Sequence, residues 1–206
     1  MLLANLNPAV MSEAEKRAID LLRGWDFQNS IQSEAAVYFE AWLSNLYALI
    51  WDEIYDAKVP LSRPTAFQTL YLIANHPSLS FFDIVETAEK ETAGDVIRMA
   101  FKDGVADVEK WRGKHGNDPR WADYKDTYVE HLTRQEALSR HVEHGGNYDN
   151  VDASGHRHGP SWRMIVSLER TGIVAYGVYP GGQDGNIGSP HYDDLLDDWA
   201  AGDTSA

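Results

Sequence analysis

The chain has 206 residues, 43% of them hydrophobic, and a formal net charge of −14 from 32 acidic and 18 basic side chains. A surface of that sign repels phosphate backbones and disfavours a nucleic-acid partner, and its many carboxylates suit a protein that must stay hydrated in salt. Cysteine is absent, which excludes disulfides, thiolate metal sites and a cysteine nucleophile and leaves the redox compartment open. No apolar run reaches the ~20 residues that span a bilayer, so no membrane partner is expected. No basic stretch followed by an apolar core marks a secretory leader.

Residues 12–58 read as helix. Ser12 followed by Glu15 fits a capping box, in which side chain and backbone satisfy each other's orphan donors. Ile19, Leu22, Val37, Phe39, Trp42, Leu46, Leu49 and Ile50 then recur at three- and four-residue spacing. Gly24-Trp25-Asp26 interrupts the pattern, Asp26 and Ser30 are candidate caps for a second helix, and Pro60 and Pro64 end the run near Lys58. A short helix is predicted over 65–75 and a loop around Pro77. Helical spacing returns from Asp83 to Lys110 through Val85, Val96, Ile97, Ala100, Phe101, Val105 and Val108. Gly113 to Pro119 is turn-rich, and Tyr128 to Arg140 reads as a loop with a short helix.

After Gly145-Gly146 the character changes. Trp162 to Leu168 alternates, Ile173 to Val178 is β-branched and apolar, and Thr171-Gly172 separates them, which is a hairpin signature. Pro180 to Pro190 carries four of the 16 glycines and reads as a structured loop. Asp193 to Ala201 reads as a short terminal helix. The predicted outline is α+β: a helical region over 1–144, then a β hairpin, Gly-rich loop and terminal helix over 145–206.

Several groupings suggest chemistry. His131, His141, His144, His156, His158 and His191 lie within about sixty residues, with Glu143, Asp149 and Asp152 among them. Such a set can bind zinc, but Gly145-Gly146 ends any helix after His144 and no HExxH is present. The plainer expectation is solvated loop histidines with one or two packed ones, and no metal residue is assigned. Ser161 sits in GPSWR rather than GxSxG. Ser189 lies beside His191, but sequence proximity is not triad geometry, and turn serines usually bond backbone. PGGQDGNIGSP lacks the lysine and spacing of a phosphate loop and carries Asp184, so its glycines are read as serving positive φ or close backbone approach. Asp193, Asp194, Asp197 and Asp198 lack EF-hand spacing; the first pair is expected to start the helix and the second to be solvated. The tryptophans (25, 42, 51, 111, 121, 162 and 199) are read mostly as core.

One resemblance ties these segments together. Leu22-Arg23-Gly24-Trp25-Asp26, then Phe39-Glu40-Ala41-Trp42 and Trp51-Asp52-Glu53, resemble a Leu-x-Gly-Trp-Asp turn before a long helix in the penicillin acylase family. Phe81-Phe82-Asp83, Thr87, Lys90-Glu91-Thr92 and Trp121 to Thr133 follow in the same order. GPSWRM and PGGQ-x-GN-x-GSPHYDD are the most specific pieces and resemble the C-terminal end of that family's β-subunit.

The resemblance implies the C-terminal portion of an N-terminal-nucleophile hydrolase, a four-layer αββα sandwich with helical lobes. The parent would hydrolyse linear amides, such as penicillins or N-acyl substrates, through an acyl-enzyme on the β-subunit's leading serine, whose α-amino group serves as base. No segment here matches the serine-led start or the Trp-Asn-Asn oxyanion segment, so the resemblance assigns no catalytic residue. Substrate-binding residues are left open. Ser161, Trp162, Arg163, Gly182, Gln183, Asn186, His191 and Tyr192 are expected to support the active-site sheet from behind. Arg163 should need a carboxylate partner, and Trp162 and Tyr192 should anchor core. No cofactor is implied for this chain; calcium is implied for the parent. The expected partners are the α-subunit and the N-terminal part of the β-subunit.

Two alternatives stand beside this reading: a non-catalytic or split-gene module that pairs with a separate N-terminal piece, and a metal hydrolase built on the histidines. A lone Met164–Val178 hairpin would expose a sheet edge and self-pair or form homo-oligomers. Lys125, Asp184 and Ile187 stand where the family often has His, Ser and Pro. The chain ends at DTSA, where the family continues into a strand, which implies truncation or divergence. The parent's location, periplasm and extracellular space included, stays open.

Overall fold

A computed structural model describes residues 1–57 and 59–202. The expected helix end near Lys58 and the DTSA terminus lie outside the described residues. The chain divides into two compact units. The first comprises Met1–Asp26 and Glu34–Pro119, and the second comprises Phe27–Ser33 and the chain from Arg120 on. That division falls at 119/120 rather than at Gly145-Gly146, because the short elements after Arg120 pack with the C-terminal ones.

The first unit is helical. Helix α1 spans Glu13–Gly24, α2 Glu34–Ile50, the single turn α3 Asp52–Tyr55, α4 Ala66–Asn75 and α5 Ala93–His115. The Ser12–Glu15 capping box forms: Ser12 Oγ accepts from Glu15 N at 3.3 Å and Glu15 Oε2 from Ser12 N at 2.7 Å. Thr65 and Gln68 repeat the device at α4. α2 begins at Glu34, later than a cap at Asp26 or Ser30 would place it, because 27–33 belongs to the second unit.

α5 begins ten residues after Asp83. Residues 83–92 are held as a loop by Glu91, whose Oε2 accepts from Ile84 N at 3.1 Å and whose N–H donates to Asp83 Oδ1 at 3.3 Å. These local bonds compete with helix formation, and Val85 is left exposed. α5 runs on to His115 and stops at Gly116, which adopts a left-handed φ of 75°.

The core of this unit lies between α2 and α5. Trp42 packs edge-to-face on Phe101, with centroids 4.9 Å apart, and donates through Nε1 to Ile97 O at 3.0 Å. Gly104 permits the approach, since a Cβ there would stand 2.8 Å from Trp42 N. Arg17, Tyr38 and Glu109 tie α1, α2 and α5 together at the rim: Arg17 Nη2 donates to Tyr38 OH at 3.1 Å and Tyr38 OH to Glu109 Oε1 at 3.0 Å.

The second unit is mixed. Helix α6 spans Trp121–Lys125, and strands β1 (Thr127–Val129) and β2 (Arg140–Val142) pair antiparallel with Tyr128 opposite His141. The sequence pattern missed this small sheet, because three-residue strands are too short to establish a period. β3 (Arg163–Glu169) and β4 (Gly172–Val178) form the predicted hairpin, in register from Arg163↔Val178 to Glu169↔Gly172. The connection is Arg170-Thr171, and Gly172 already belongs to β4 with φ 147°. Helix α7 covers Leu196–Ala201. Val178, Leu196 and Trp199 form the core of the unit, with Val129, Val142 and Leu195 against it. The chain is thus α+β, with helices in its first unit and small antiparallel sheets in its second.

Candidate functional site

The supporting residues predicted from the sequence fall into two groups within the second unit. The first surrounds Arg163 at the start of β3. Its guanidinium finds the expected carboxylate in Asp152, Nη2 donating to Oδ1 at 2.8 Å. The same nitrogen lies 3.0 Å from His144 Nε2, and the guanidinium carbon lies 5.5 Å from the centroid of the Trp199 ring. His144 is 1% exposed. Its ring stacks on Trp199 at 5.2 Å, and its Nδ1 lies 2.8 Å from Ala200 O. Burial pushes its pKa below the usual imidazole value, with the Ala200 carbonyl acting against that shift.

Beside this group lies Lys125, also buried. Its Nζ donates to Gly145 O and, at 2.8 Å, to Ser154 Oγ. Burial pulls the amine's pKa down to about 8, with Asp152 opposing the shift and Arg163 adding to it. Trp121 Nε1 donates to Gly146 O at 2.8 Å, and Ser154 Oγ to Gly145 O at 2.9 Å. The Gly145-Gly146 carbonyls are therefore a hub for α6, the 147–155 loop and the indole. Gly146 sits at φ 74°, and a Cβ there would overlap Asp152 O, so only glycine fits.

The second group is the Gly-rich loop. Gly182 is needed for close approach, because a Cβ would lie 2.0 Å from His191 O. Asp184 N donates to His191 O at 3.0 Å, and Asp184 Oδ1 accepts from Asn186 N at 2.9 Å. The Asn186 bond is the largest influence holding the Asp184 carboxyl below its usual pKa. Asn186 Oδ1 accepts from Gly188 N at 3.1 Å. Ser189 Oγ accepts from His191 N at 3.2 Å, while the His191 ring turns to Asp194, 2.7 Å away. Ser189 is thus a turn residue. Gln183 is exposed. Tyr192 is half-buried and donates its hydroxyl to Leu138 O at 2.7 Å.

Two expectations change. Trp162 does not anchor core: it is 46% exposed and stacks on Tyr179 at 6.3 Å, and Trp199 occupies the interior instead. Asp193 and Asp194 do not start the terminal helix. They engage Arg140 at 2.6 Å and His191 at 2.7 Å, and α7 begins at Leu196. The six histidines fall as expected, scattered over the unit with one of them fully packed. His144 is packed, His141 and His156 flank Asp126, and His158 stacks on Tyr148.

Among the described residues no group of three His, Asp or Glu side chains is placed to hold a metal ion. A calcium ion asks for six to eight oxygens, and the described residues bring no three carboxylates together around one point, so they do not fit one. Ser161 is exposed and makes no side-chain hydrogen bond among the described residues. Lys125, Ser154 and Asp152 were not predicted as partners, because they meet from positions up to 29 apart; a Gly-Gly pair after a histidine was the only local signal.

The hairpin carries the most unusual surface. Met164, Val166 and Leu168 share one face with Ala175 and Ile173, while Ile165, Val174 and Tyr176 share the other. All these large side chains are exposed, from 38% at Val174 to 80% at Leu168. Strands apolar on both faces belong in the interior of a layered sheet, and a two-stranded hairpin is marginal by itself.

Fold and site together define an α+β chain with a buried polar hub and an uncovered apolar hairpin. Residues 1–206 match the family described as penicillin amidase, and the chain belongs to that family. No curated protein matches the chain. Among the described residues no helix is long and apolar enough to cross a membrane.

Proposed function

We propose that this chain is the C-terminal part of the β-subunit of a penicillin acylase-like amidohydrolase. It supplies scaffold for an active site whose nucleophilic serine lies on another segment of the precursor. The parent cleaves linear amides of penicillin or N-acyl type. The observation that carries this reading is the β3–β4 hairpin, apolar and exposed on both faces in a chain that matches the family along its length. Such strands need a layer on each side and a neighbour at each edge. An αββα sandwich completed by the rest of the precursor supplies all four.

In this reading Arg163 fixes the start of β3 to the 147–155 loop and α7, and Gly182, Asn186 and His191 hold the Gly-rich loop beside it. Ser161, Trp162, Gln183 and Tyr192 lie around these two anchors. The chain itself makes no acyl-enzyme, and the calcium implied for the parent belongs to other segments.

The hairpin also favours a second reading of how this piece behaves: a subunit that pairs non-covalently with a separate N-terminal piece. Both readings meet one experiment. The chain alone should hydrolyse no phenylacetyl or N-acyl amide, and restoring the sequence encoded upstream of Met1, fused or co-expressed, should give activity. Turnover by the purified chain alone would refute the assignment. Activity from co-expressed but unfused pieces would select the pairing mode.

A further inference from the structure

We propose that His144 is a pH-sensitive latch: its neutral ring ties the terminal helix α7 to the start of β3, and its protonation releases that tie. The partners fix the tautomer. The Ala200 carbonyl, 2.8 Å from Nδ1, can only accept, so Nδ1 carries the hydrogen. Arg163 Nη2, 3.0 Å from Nε2, can only donate, so Nε2 must be a bare lone pair. One ring therefore bridges α7 and β3, and it can do so only while neutral.

A second proton has to go on Nε2, the atom that receives the Arg163 bond. Donor would then face donor, and cation would face cation. The groups around the ring come from every neighbouring element. β3 presents Arg163, α6 presents Lys125, and α7 presents Trp199 and the Ala200 carbonyl. The loop after Gly146 presents Asp152, whose Oδ1 lies 3.5 Å from Nε2. That oxygen already accepts from Arg163 at 2.8 Å and would have to serve two cations. The face of Trp199, which would attract an imidazolium, already lies 5.5 Å from the Arg163 guanidinium. At 1% exposure the ring has no solvent to turn to without opening the cluster. Burial and the two neighbouring cations hold its pKa below 6.5.

The sign follows from these facts. The unfolded or opened chain binds the proton near 6.5, while the closed cluster binds it only at lower pH. Opening is therefore favoured as pH falls below 6.5, by up to roughly tenfold per pH unit for one proton. Above 6.5 the latch is indifferent to pH.

The test uses the full chain labelled with 15N at histidine, with amide exchange at Trp199 in α7 and at Gly202, which caps its C-terminal end, followed in parallel. At pH 8 His144 should carry its proton on Nδ1, and its titration midpoint should fall below 6.5. Over the same range, exchange in α7, corrected for its intrinsic pH dependence, should accelerate roughly tenfold per pH unit. His144→Gln keeps an acceptor for Arg163 at every pH and should reduce the acceleration to less than about twofold per unit. Should that variant fail to fold, coincidence of the two wild-type midpoints decides. A His144 midpoint at or above 6.5, α7 exchange that ignores its titration, or an unchanged slope in His144→Gln would each overturn the latch.

Discussion

In the α2–α5 pair, Trp42, Leu46, Ile97 and Phe101 are all 2% exposed or less; in the β3–β4 hairpin Val178 alone is buried. Both regions have regular backbones and unambiguous registers. The difference is what covers them. Each helix presents one apolar stripe and finds the other's, so the pair closes within its own unit. The hairpin presents two apolar faces, and among the described residues of its unit it pairs with no further strand and buries no side chain but Val178. Regular secondary structure is thus no guide to completeness; the burial of both faces is.

Mutations should divide along this line, beginning with the helical pair. Trp42→Ala removes the edge-to-face ring contact and the indole's added hydrogen bond to the Ile97 carbonyl, and should cost about 4 kcal/mol in urea unfolding followed by helical circular dichroism. Gly104→Ala should cost about 3 kcal/mol, since the new methyl meets backbone rather than a movable side chain. A cost below about 1 kcal/mol in Gly104→Ala would mean that the helices do not approach this closely.

Lys125 sharpens the comparison from the second unit. Its pKa is near 8 in the folded chain against 10.5 unfolded. Between those values the unfolded chain binds more protons, so stability should rise with pH through pH 8–10.5, by at most about 3 kcal/mol. Lys125→Met should abolish that rise. At pH 7 it should be close to neutral, because Trp121 Nε1 and Ser154 Oγ still donate to the Gly146 and Gly145 carbonyls. Stability that falls over pH 8–10 in the wild type would contradict the burial argument.

Ser12→Ala should cost about 1 kcal/mol through the lost cap of α1. Val166→Lys in the hairpin should change the stability of the chain alone by less than about 0.5 kcal/mol, as an exposed position does. It should nevertheless block assembly with the rest of the precursor, read by co-purification. A large loss of stability in the chain alone would mean that the hairpin is covered within it.

The sequence shows the helical elements well, because Ser12/Glu15 and the Trp42–Ile50 spacing act within one turn of their own residues. It places the hairpin for the same reason, through alternation around Thr171-Gly172. It misplaces the start of α5, where Glu91 bonds Asp83 and Ile84 across a loop with helical composition. It misses β1 and β2, whose pairing is fixed by partners thirteen residues apart at the centre, Tyr128 and His141. Of the site, the need of Arg163 for a carboxylate was legible from charge alone, but that the carboxylate is Asp152 was not. Trp162 and Trp199 carry the same intrinsic preference for burial. Only the tertiary structure assigns Trp199 inward, against Gly159 and Val178, and leaves Trp162 in solvent.

The most direct measurement is amide exchange across Met164–Val178, in the chain alone and after the sequence encoded upstream of Met1 is restored. Edge amides of both strands should exchange quickly in the chain alone and become strongly protected in the restored protein, as amidase activity appears. Equal exchange in the two forms, or a chain that already protects both edges and turns over an amide unaided, would contradict a scaffold role for the hairpin.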